Sequence, residues 1–218
     1  MKPKIKVLIA DDHPVFRKGL ADVVRGDAAL EVVQETGDGA SALRLIQELR
    51  PAVAVLDIQM PQRDGLEVAR EVQRRHLPVE LIFITAYQDP ETFDEAMNLG
   101  VKGYVLKDSA VTDILAGIKT VAKGERYISP SLSGLLFRRS EAAKELRQEH
   151  PGLESLTPTE RRILKMISLD QTTKEIADEL GTSDRTVENH RANISRKLEL
   201  HGSHSPLKFA YDNKGRLS

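Results

Sequence analysis

Cysteine is absent from the 218 residues of this chain. Its absence excludes a disulfide framework, a thiol nucleophile and a metal site built from thiolates. A chain without cysteine also suits a reducing compartment, so we expect a cytoplasmic protein. The length is enough for one large domain or two modest ones.

Long apolar runs are absent as well. The run Ile5–Ala10 ends at Asp11, so it is too short for the hydrophobic region of a signal peptide. No run approaches the roughly 18 apolar residues of a membrane-spanning helix. The sequence therefore predicts a soluble, intracellular protein with no membrane partner. Hydrophobic residues still make up 40% of the chain, which is enough for a packed core.

The chain carries little net charge. Its formal charge of −1 hides a small asymmetry, because residues 1–128 have 17 basic and 20 acidic side chains and residues 129–218 have 15 and 13. A nucleic-acid-binding domain often has a larger basic excess. Bulk charge therefore supports DNA binding by the C-terminal part only weakly.

Short apolar runs alternate with helical patterns over the first part of the chain. The runs are nearly continuous in Val, Ile and Leu, as parallel strands covered on both faces should be. The predicted strands are Ile5–Ala10, Leu30–Val33, Val53–Leu56, Leu81–Ile84 and Gly103–Leu106. Five strands alternating with five helices predict an α/β fold with a doubly wound, five-stranded parallel sheet.

The alternation then stops. Residues 129–152 contain a charged stretch between two proline-containing turns, and we interpret them as a linker with a helix of its own. Further on the pattern is helical only: Thr157 and Glu160 form a predicted capping box, and Gly181 ends the second helix. Two short helices, a turn of about four residues and a longer third helix predict a small all-α helix-turn-helix domain over residues 153–218.

Polar side chains follow four of the predicted strands. Because the carboxyl ends of parallel strands meet at one edge of a sheet, these side chains are expected to lie close together. They are Asp11 and Asp12 after the first strand, Asp57 after the third, Thr85 after the fourth and Lys107 after the fifth. Three carboxylates at one edge repel each other, so a cation is expected there. Oxygen ligands without His or Cys suit Mg²⁺.

The same set of side chains suits phosphoryl transfer. A carboxylate can act as a nucleophile and form an acyl phosphate. A lysine charge and a threonine hydroxyl can stabilise the phosphoryl group as it moves. One acidic residue at a strand end is usually a helix cap or is solvated. Three carboxylates, a hydroxyl and an ammonium at one edge are far less often a coincidence.

The residues that carry this chemistry resemble the receiver pattern of two-component response regulators, in order and in spacing. The matching segments are Ile9–Pro14, Leu56–Gly65, Ile84–Ala86 and Gly103–Asp108. Further on, Leu156–Glu160, Lys174–Ala177 and Thr186–His190 resemble the LuxR-type helix-turn-helix. The chain is thus similar over nearly its whole length to response regulators of the NarL/FixJ type. The resemblance implies a flavodoxin-like receiver domain over residues 1–128 and a LuxR-type DNA-binding domain over residues 153–218, joined by the linker.

The resemblance also implies roles for the residues at the sheet edge. Asp57 would accept a phosphoryl group from a sensor histidine kinase. Asp12, Asp57 and the Gln59 carbonyl would bind Mg²⁺. Asp11 would assist them.

Further roles follow from the resemblance. Thr85 and Lys107 would hold phosphate oxygens. Tyr104 matches the family's switch residue, whose side chain moves inward when Thr85 is drawn toward the phosphate.

The resemblance also implies what the whole protein does. The protein would not be an enzyme, apart from assisting its own phosphorylation and dephosphorylation. The phosphorylated form would be a homodimer that binds double-stranded DNA and regulates transcription, and RNA polymerase is a further candidate partner.

The sequence departs from the receiver pattern in places. The lysine of many receivers is followed by a proline in a cis peptide bond, whereas Asp108 follows Lys107 here. Gln59 and Tyr87 occupy positions that tune the lifetime of the phosphoryl group in this family. Tyr87 is bulky enough to shield an acyl phosphate from water, and it is equally well interpreted as a partly exposed loop residue.

The third helix of the C-terminal domain is predicted to have a buried side and a DNA-facing side. Val187, Ile194 and Leu198 fall on the buried side. On the other side Asn can bind adenine, Glu can accept from cytosine and Ala can contact a thymine methyl group, while Arg and Lys are candidates for phosphate contacts. Glu188 replaces a lysine that is common in this family. The predicted DNA-contacting residues are Lys174, Arg185, Thr186, Glu188, Asn189, Arg191, Ala192, Arg196 and Lys197.

Two other interpretations are weaker. A Mg²⁺-dependent phosphatase of the haloacid dehalogenase kind places its nucleophile after the first strand in a D-x-D-x-[TV] pattern, which Asp11-Asp12-His13-Pro14 does not fit. A receiver that has lost phosphorylation would not need the complete pocket that this sequence keeps. His201 and His204 are spaced like metal ligands but lack partners, so we predict no metal site there.

Overall fold

A computed structural model describes residues 3–86, 88–202 and 205–217. The chain divides into two compact units, the first ending at Leu135 and the second beginning at Leu136. Within the described residues, no helix is both long enough and apolar enough to cross a membrane. Tyr87 and His204 lie outside the described residues.

The first unit is built on a parallel sheet whose strands are joined by helices. In chain order the elements are β1 Ile5–Ala10, α1 Pro14–Arg25, β2 Leu30–Thr36, α2 Gly39–Leu49, β3 Val53–Asp57, α3 Gly65–Arg74, β4 Glu80–Thr85, α4 Pro90–Asn98, β5 Gly103–Leu106, α5 Ala110–Val121 and β6 Tyr127–Ile128. The strand order is β2-β1-β3-β4-β5-β6, and every pair is parallel. The predicted α/β doubly wound fold is confirmed.

The sheet has six strands, one more than the sequence predicts. The additional strand, β6, is only 2 residues long and pairs with β5 at the edge of the sheet. Two residues are too few to show a periodic pattern, which is why the sequence does not reveal it. The main chain continues the pairing beyond β6, because the Ser129 amide donates to the Tyr104 carbonyl at 3.0 Å.

Helices cover both faces of the sheet. On one face α1 and α5 bury Leu20, Val24, Ile114 and Ile118 against β1, β3, β4 and β5. On the other face α2 contacts β1 and β2, and α3 contacts both α2 and α4. Each fully buried aliphatic side chain contributes about 1.5–3 kcal/mol relative to an exposed one, so this double layer stabilises the strand ends where the polar residues lie.

Local capping explains where three of these helices begin. The Asp38, Asp64 and Asp89 carboxylates accept hydrogen bonds from backbone amides three residues on, at 2.7, 2.7 and 2.8 Å. At α3 the cap is reciprocal, since Glu67 accepts from the Asp64 amide at 2.9 Å. Aspartate caps also interact favourably with the positive end of the helix dipole.

The second unit is helical. It contains most of α6 (Ser133–Glu149), then α7 (Pro158–Ser168), α8 (Thr173–Leu180), α9 (Asp184–Lys197) and α10 (Ser205–Asp212). The predicted capping box of Thr157 and Glu160 is present, and so is a second one at Thr172. Gly181 ends α8 in the left-handed conformation with φ 61°, which glycine adopts without a steric penalty.

The segment predicted to be a linker is largely ordered. A 3₁₀ turn covers Pro130–Leu132, α6 follows it, and a second 3₁₀ turn covers Pro151–Ser155. The division between the compact units falls inside this segment rather than at its ends. Leu146, on α6, belongs to the hydrophobic core of the second unit together with Ile163, Ile176 and Ile194. Part of α6 therefore packs into this core, whereas Leu136 and Phe137 on the same helix are exposed, a division that composition alone did not show.

Candidate functional site

The polar residues of the sheet edge lie together in the first unit. Asp11 follows β1, Asp57 ends β3, Thr85 ends β4 and Lys107 follows β5, and these four strands are neighbours in the sheet. The side chains are unusually buried for polar groups: Asp11 is 1% exposed, Asp57 4% and Thr85 6%. Charged groups are almost never fully buried unless they are paired. The burial of these polar groups at one edge of the sheet therefore indicates a functional site.

Lys107 supplies the pairing. Its Nζ lies 2.6 Å from Asp57 Oδ2 and 2.8 Å from Asp11 Oδ2. The same ammonium lies 4.9 Å from the centroid of the Phe16 ring, a cation–π contact. The sequence analysis did not identify Phe16, because an aromatic residue on the first turn of a helix carries no signal of a site.

The charges in the pocket shift the titration of two groups. Burial raises the pKa of Asp57, and the hydrogen bond from Lys107 opposes that shift. Burial acts to lower the pKa of Lys107, but hydrogen bonds to Asp11 and Asp57 outweigh it, so the net shift is upward. Lys107 therefore stays positively charged beside a carboxylate that would be less stable without it.

An acidic cluster surrounds the Asp57 carboxylate. One ligand atom from each of Asp11, Asp12, His13 and Asp57 can be chosen so that all lie within 4.8 Å of one another. Asp12 is the most accessible of the three aspartates, with 38% of its side chain exposed. Three carboxylates at this spacing can hold a hard cation such as Mg²⁺. Over the part of the chain that the structure describes, this is the only such cluster, and His201 does not form one.

His13 is held by its acidic neighbours. Its backbone amide donates to Asp11 Oδ1 at 2.8 Å, and its Nδ1 lies 2.7 Å from Asp12 Oδ1. The prediction that His13 is structural rather than a base stays a prediction. Gln59 contacts the site through its backbone amide, which donates to Asp57 Oδ1 at 3.3 Å. Among the described residues, no contact tests the predicted role of the Gln59 carbonyl in binding Mg²⁺.

Close packing behind Asp57 depends on a glycine. A Cβ atom at Gly65 would lie 2.6 Å from the Asp57 carbonyl oxygen. The first residue of α3 can therefore approach the end of β3 only because it has no side chain.

The 3₁₀ turn Lys107–Ser109 follows directly after β5, and no cis peptide bond occurs among the described residues. The peptide bond before Asp108 is thus trans.

The predicted switch residue Tyr104 lies inside the first unit. It is 0% exposed, and its ring meets the Phe93 and Phe83 rings edge to face at centroid distances of 5.1 and 6.3 Å. Burial raises its pKa, and the negative charge of Asp89 raises it further. Its hydroxyl has no hydrogen-bond partner among the described residues. An unpaired buried hydroxyl costs about 1–3 kcal/mol, so this position of the ring is held by packing alone.

A second candidate site lies on the exposed side of α9. Val187 and Ile194 are 0% exposed and Leu198 is 6% exposed, which confirms the predicted buried side. Side chains on the opposite side of α9 are exposed, and so are the basic residues Lys174 and Arg185. The exposed residues among those predicted to contact DNA are Lys174, Arg185, Glu188, Asn189, Ala192 and Arg196.

Several residues of the predicted set contact other side chains of the domain, and for two of them these contacts belong to the domain's own framework. Lys197 Nζ lies 2.7 Å from Glu160 Oε2 and donates to the Ser155 carbonyl at 2.9 Å, with only 22% of its side chain exposed. Thr186 belongs to the cap of α9, since its amide donates to Ser183 Oγ at 3.2 Å and the two hydroxyls lie 2.9 Å apart. Lys197 thus has an ion pair and a hydrogen bond inside the domain, which use two of its three donors, and its predicted contact with phosphate stays a prediction.

Comparison with known proteins gives consistent matches to both units. The model of the response regulator receiver domain matches residues 7–119, and that of the luxR family of bacterial regulatory proteins matches residues 154–205. "Probable transcriptional regulatory protein NarL" of Mycobacterium tuberculosis is 37% identical over 196 residues, 89% of this chain and 88% of that protein. "DNA-binding transcriptional activator DevR/DosR" of the same organism is 32% identical over 210 residues, 96% and 95% of the two chains.

A solved structure matches the first unit. The signal receiver domain of a NarL response regulator from Mycobacterium tuberculosis superposes with a TM-score of 0.55 at 39% sequence identity. The match covers 56% of this chain and 99% of that one.

Proposed function

Because the chain belongs to the response regulators that join a receiver domain to a LuxR-type DNA-binding domain, we propose that a phosphoryl group on Asp57 controls its binding to DNA. The protein is a two-component transcription regulator. The observation that carries the proposal is the buried Asp57 carboxylate, which is held 2.6 Å from the Lys107 ammonium where four strands end.

Asp57 is the nucleophile. One of its carboxylate oxygens attacks the phosphorus of a phosphorylated histidine on a sensor kinase, so that an O–P bond forms as the N–P bond breaks. The histidine nitrogen keeps the bonding electrons and takes up a proton. Lys107 holds a fixed positive charge beside the transferred group, and the Thr85 hydroxyl donates to one of its oxygens. The protein assists this chemistry only on its own Asp57.

Asp11, Asp12 and Asp57 would hold Mg²⁺, together with the Gln59 carbonyl. The fit rests on the donor atoms, since carboxylate oxygens within 4.8 Å of one another are ligands of the kind that this cation prefers. When bound, the cation supplies positive charge that offsets the oxygens of the phosphoryl group. Asp12 is the carboxylate most accessible to it, because 38% of its side chain is exposed whereas Asp11 and Asp57 are buried beside Lys107.

The Asp12→Ala variant is therefore expected to need a higher Mg²⁺ concentration for phosphorylation, by about tenfold or more. The reason is that even outer-shell partners of a bound metal are worth about 10–100-fold in affinity. The measurement is the rate of phosphorylation by acetyl phosphate as Mg²⁺ is titrated. Asp22→Ala removes the same charge from an exposed position on α1 and serves as the matched control. A titration curve that is the same for both variants would remove Asp12 from the site.

Thr85 and Tyr104 would carry the signal out of the pocket. Thr85 moves toward the phosphoryl group when it donates to it, and Tyr104 occupies the space between Phe83 and Phe93. No hydrogen bond from another described residue holds the Tyr104 hydroxyl in that place. Tyr104 already lies inward in this structure, so the proposed switch requires a second, outward position of the ring for the state in which Asp57 carries no phosphoryl group.

DNA is the proposed partner of the second unit. Glu188, Asn189 and Ala192 are exposed on α9, and a recognition helix presents side chains of this kind to base edges. The candidates for phosphate contacts are Lys174, Arg185, Arg191 and Arg196. A relative, DevR/DosR, is named as a DNA-binding transcriptional activator. With a kinase and DNA as partners, and RNA polymerase as a further one, we place the protein in the cytoplasm.

Phosphorylation of the unchanged chain is expected to produce a dimer that binds DNA more tightly. A dimer presents two recognition helices to half-sites about 10 bp apart, or a multiple of this spacing. The phosphoryl group must favour the dimeric state by a few kcal/mol to shift the population. Sedimentation and DNA titration, each with and without acetyl phosphate and Mg²⁺, test this. The same oligomeric state and the same DNA affinity under both conditions would contradict the proposed function.

A further inference from the structure

Two charged residues of α9 share one hydroxyl group of α8. Thr173, the first residue of α8, donates its hydroxyl to Glu188 Oε1 at 3.0 Å. The same hydroxyl oxygen accepts a hydrogen bond from Arg191 Nη1 at 3.1 Å. Glu188 and Arg191 are three residues apart on α9, so they lie on the same side of the helix. One uncharged side chain thus positions an acceptor and a donor next to each other.

These contacts change how Glu188 is interpreted. An exposed glutamate on a helix surface usually samples many rotamers, and its carboxylate is hydrated. Here one carboxylate oxygen is held from the neighbouring helix, whereas Oε2 accepts no hydrogen bond from the rest of the described chain. An ionised carboxylate accepts hydrogen bonds and does not donate them, so the oriented Glu188 can contact a donor group on DNA but not a phosphate oxygen.

The two charges border an open depression in the surface of the second unit. Its volume is about 450 Å³, and Ala192 and Arg196 also line it. A chemical group that enters this depression meets a carboxylate and a guanidinium side by side. It therefore needs a hydrogen-bond donor and a hydrogen-bond acceptor that are themselves adjacent.

We propose that Glu188 and Arg191, positioned by Thr173, read a C·G base pair in the major groove. The cytosine N4 amino group donates to the free oxygen of Glu188, and Arg191 donates to O6 and N7 of the paired guanine. These are the base-edge contacts that glutamate and arginine make. The inference rests on the proposed function, in which α9 faces the major groove. It adds the identity of one base pair and assigns Arg191 to a base rather than to a phosphate.

The test is binding-site selection from random duplex DNA with the full chain, phosphorylated by acetyl phosphate. Glu188→Gln is expected to change the preferred base at one position from cytosine to adenine, because glutamine binds adenine through N6 and N7. Glu188→Ala is expected to lose about tenfold or more of the discrimination at that position, while binding to other sequences becomes tighter. Thr173→Val removes the positioning hydroxyl and should weaken the discrimination at the same position.

Two controls separate base reading from a general effect of charge. Glu145→Gln makes the same chemical change at an exposed position of α6 and should leave the selected sequence unchanged. Arg196→Ala should weaken binding to all sequences alike. Thermal denaturation shows whether the Thr173→Val variant folds. The Glu188 variants report on base preference at the same position without a change in α8.

The outcomes are distinguishable. A wild-type chain that selects no sequence overturns the proposed function and this inference with it. A wild-type chain that selects a sequence, together with Glu188→Gln and Glu188→Ala variants that select the same one, overturns the inference alone. Glu188 would then act only by repelling phosphates, and both variants would bind every sequence more tightly without a change in base preference.

Discussion

Replacement of Asp57 by asparagine is expected to abolish incorporation of a phosphoryl group. An amide is a poor nucleophile and cannot form the acyl phosphate that a carboxylate forms. The substitution changes little else, because asparagine has nearly the same shape and Lys107 keeps its contact with Asp11 at 2.8 Å. Burial of a charged carboxylate is also relieved, since Asp57 is only 4% exposed. We therefore expect full loss of phosphorylation in a folded protein.

Mass spectrometry of the intact chain after incubation with acetyl phosphate and Mg²⁺ measures this. The wild-type chain should gain one phosphoryl group that is labile to base, and Asp57→Asn should gain none. Asp22→Asn is the matched control, because it makes the same chemical change at an exposed carboxylate on α1. Asp11 is the rival acceptor, since it is also buried and also paired with Lys107. Labelling that persists in Asp57→Asn but disappears in Asp11→Asn would move the site to Asp11.

Replacement of Lys197 by methionine is expected to lower the free energy of unfolding of the second unit by about 3 kcal/mol, the lower end of what loss of one partner of a buried ion pair costs. Glu160 has only 4% of its side chain exposed and accepts from Lys197 at 2.7 Å. Without that partner, its charge is left buried with the Thr157 amide as its hydrogen-bond donor, at 2.7 Å. The hydrogen bond to the Ser155 carbonyl is lost as well.

Chemical denaturation followed by circular dichroism measures this loss of unfolding free energy. Two further variants test whether the loss comes from the Lys197–Glu160 ion pair. The double variant Glu160→Gln with Lys197→Met should recover part of the stability, because the uncompensated charge is gone. Arg196→Ala, one residue away and exposed, should leave stability nearly unchanged and reduce the salt dependence of DNA binding by about one unit. If Lys197→Met instead gave the Arg196→Ala result, Lys197 would be a phosphate contact and the ion pair would be dispensable.

The sheet edge could be predicted from sequence because its geometry follows from strand ends. Asp57, Thr85 and Lys107 each close or follow a run of apolar residues, and parallel strands bring such ends together whatever the details of the packing. Helix caps were predictable for a related reason, since Thr157 and Glu160 satisfy backbone amides within one turn of their own helix. In both cases the deciding interactions are local in the chain or follow from the fold class.

The additional strand and the pairing of charged side chains could not be predicted in this way. β6 is too short to have a period, and its place is decided by the edge of β5 against which it lies. Lys197 looks like any basic residue at the end of a recognition helix, and its partner Glu160 lies 37 residues earlier. Thr173 and Glu188 are 15 residues apart and on different helices. The packing of the helices decides which charged side chains form ion pairs or hydrogen bonds with each other.

The sequence by itself determined the fold class, the order of the elements and the set of oxygen and nitrogen groups at the strand ends, because hydrophobic periodicity and the rules of parallel sheets act through the backbone. Only the tertiary structure decided that Lys107 is shared between Asp11 and Asp57, that Lys197 is taken up by Glu160, and that Thr173 sets Glu188 beside Arg191. The physical reason is that a hydrogen bond or ion pair depends on side-chain distances of about 3 Å, which the packing of elements distant in sequence sets.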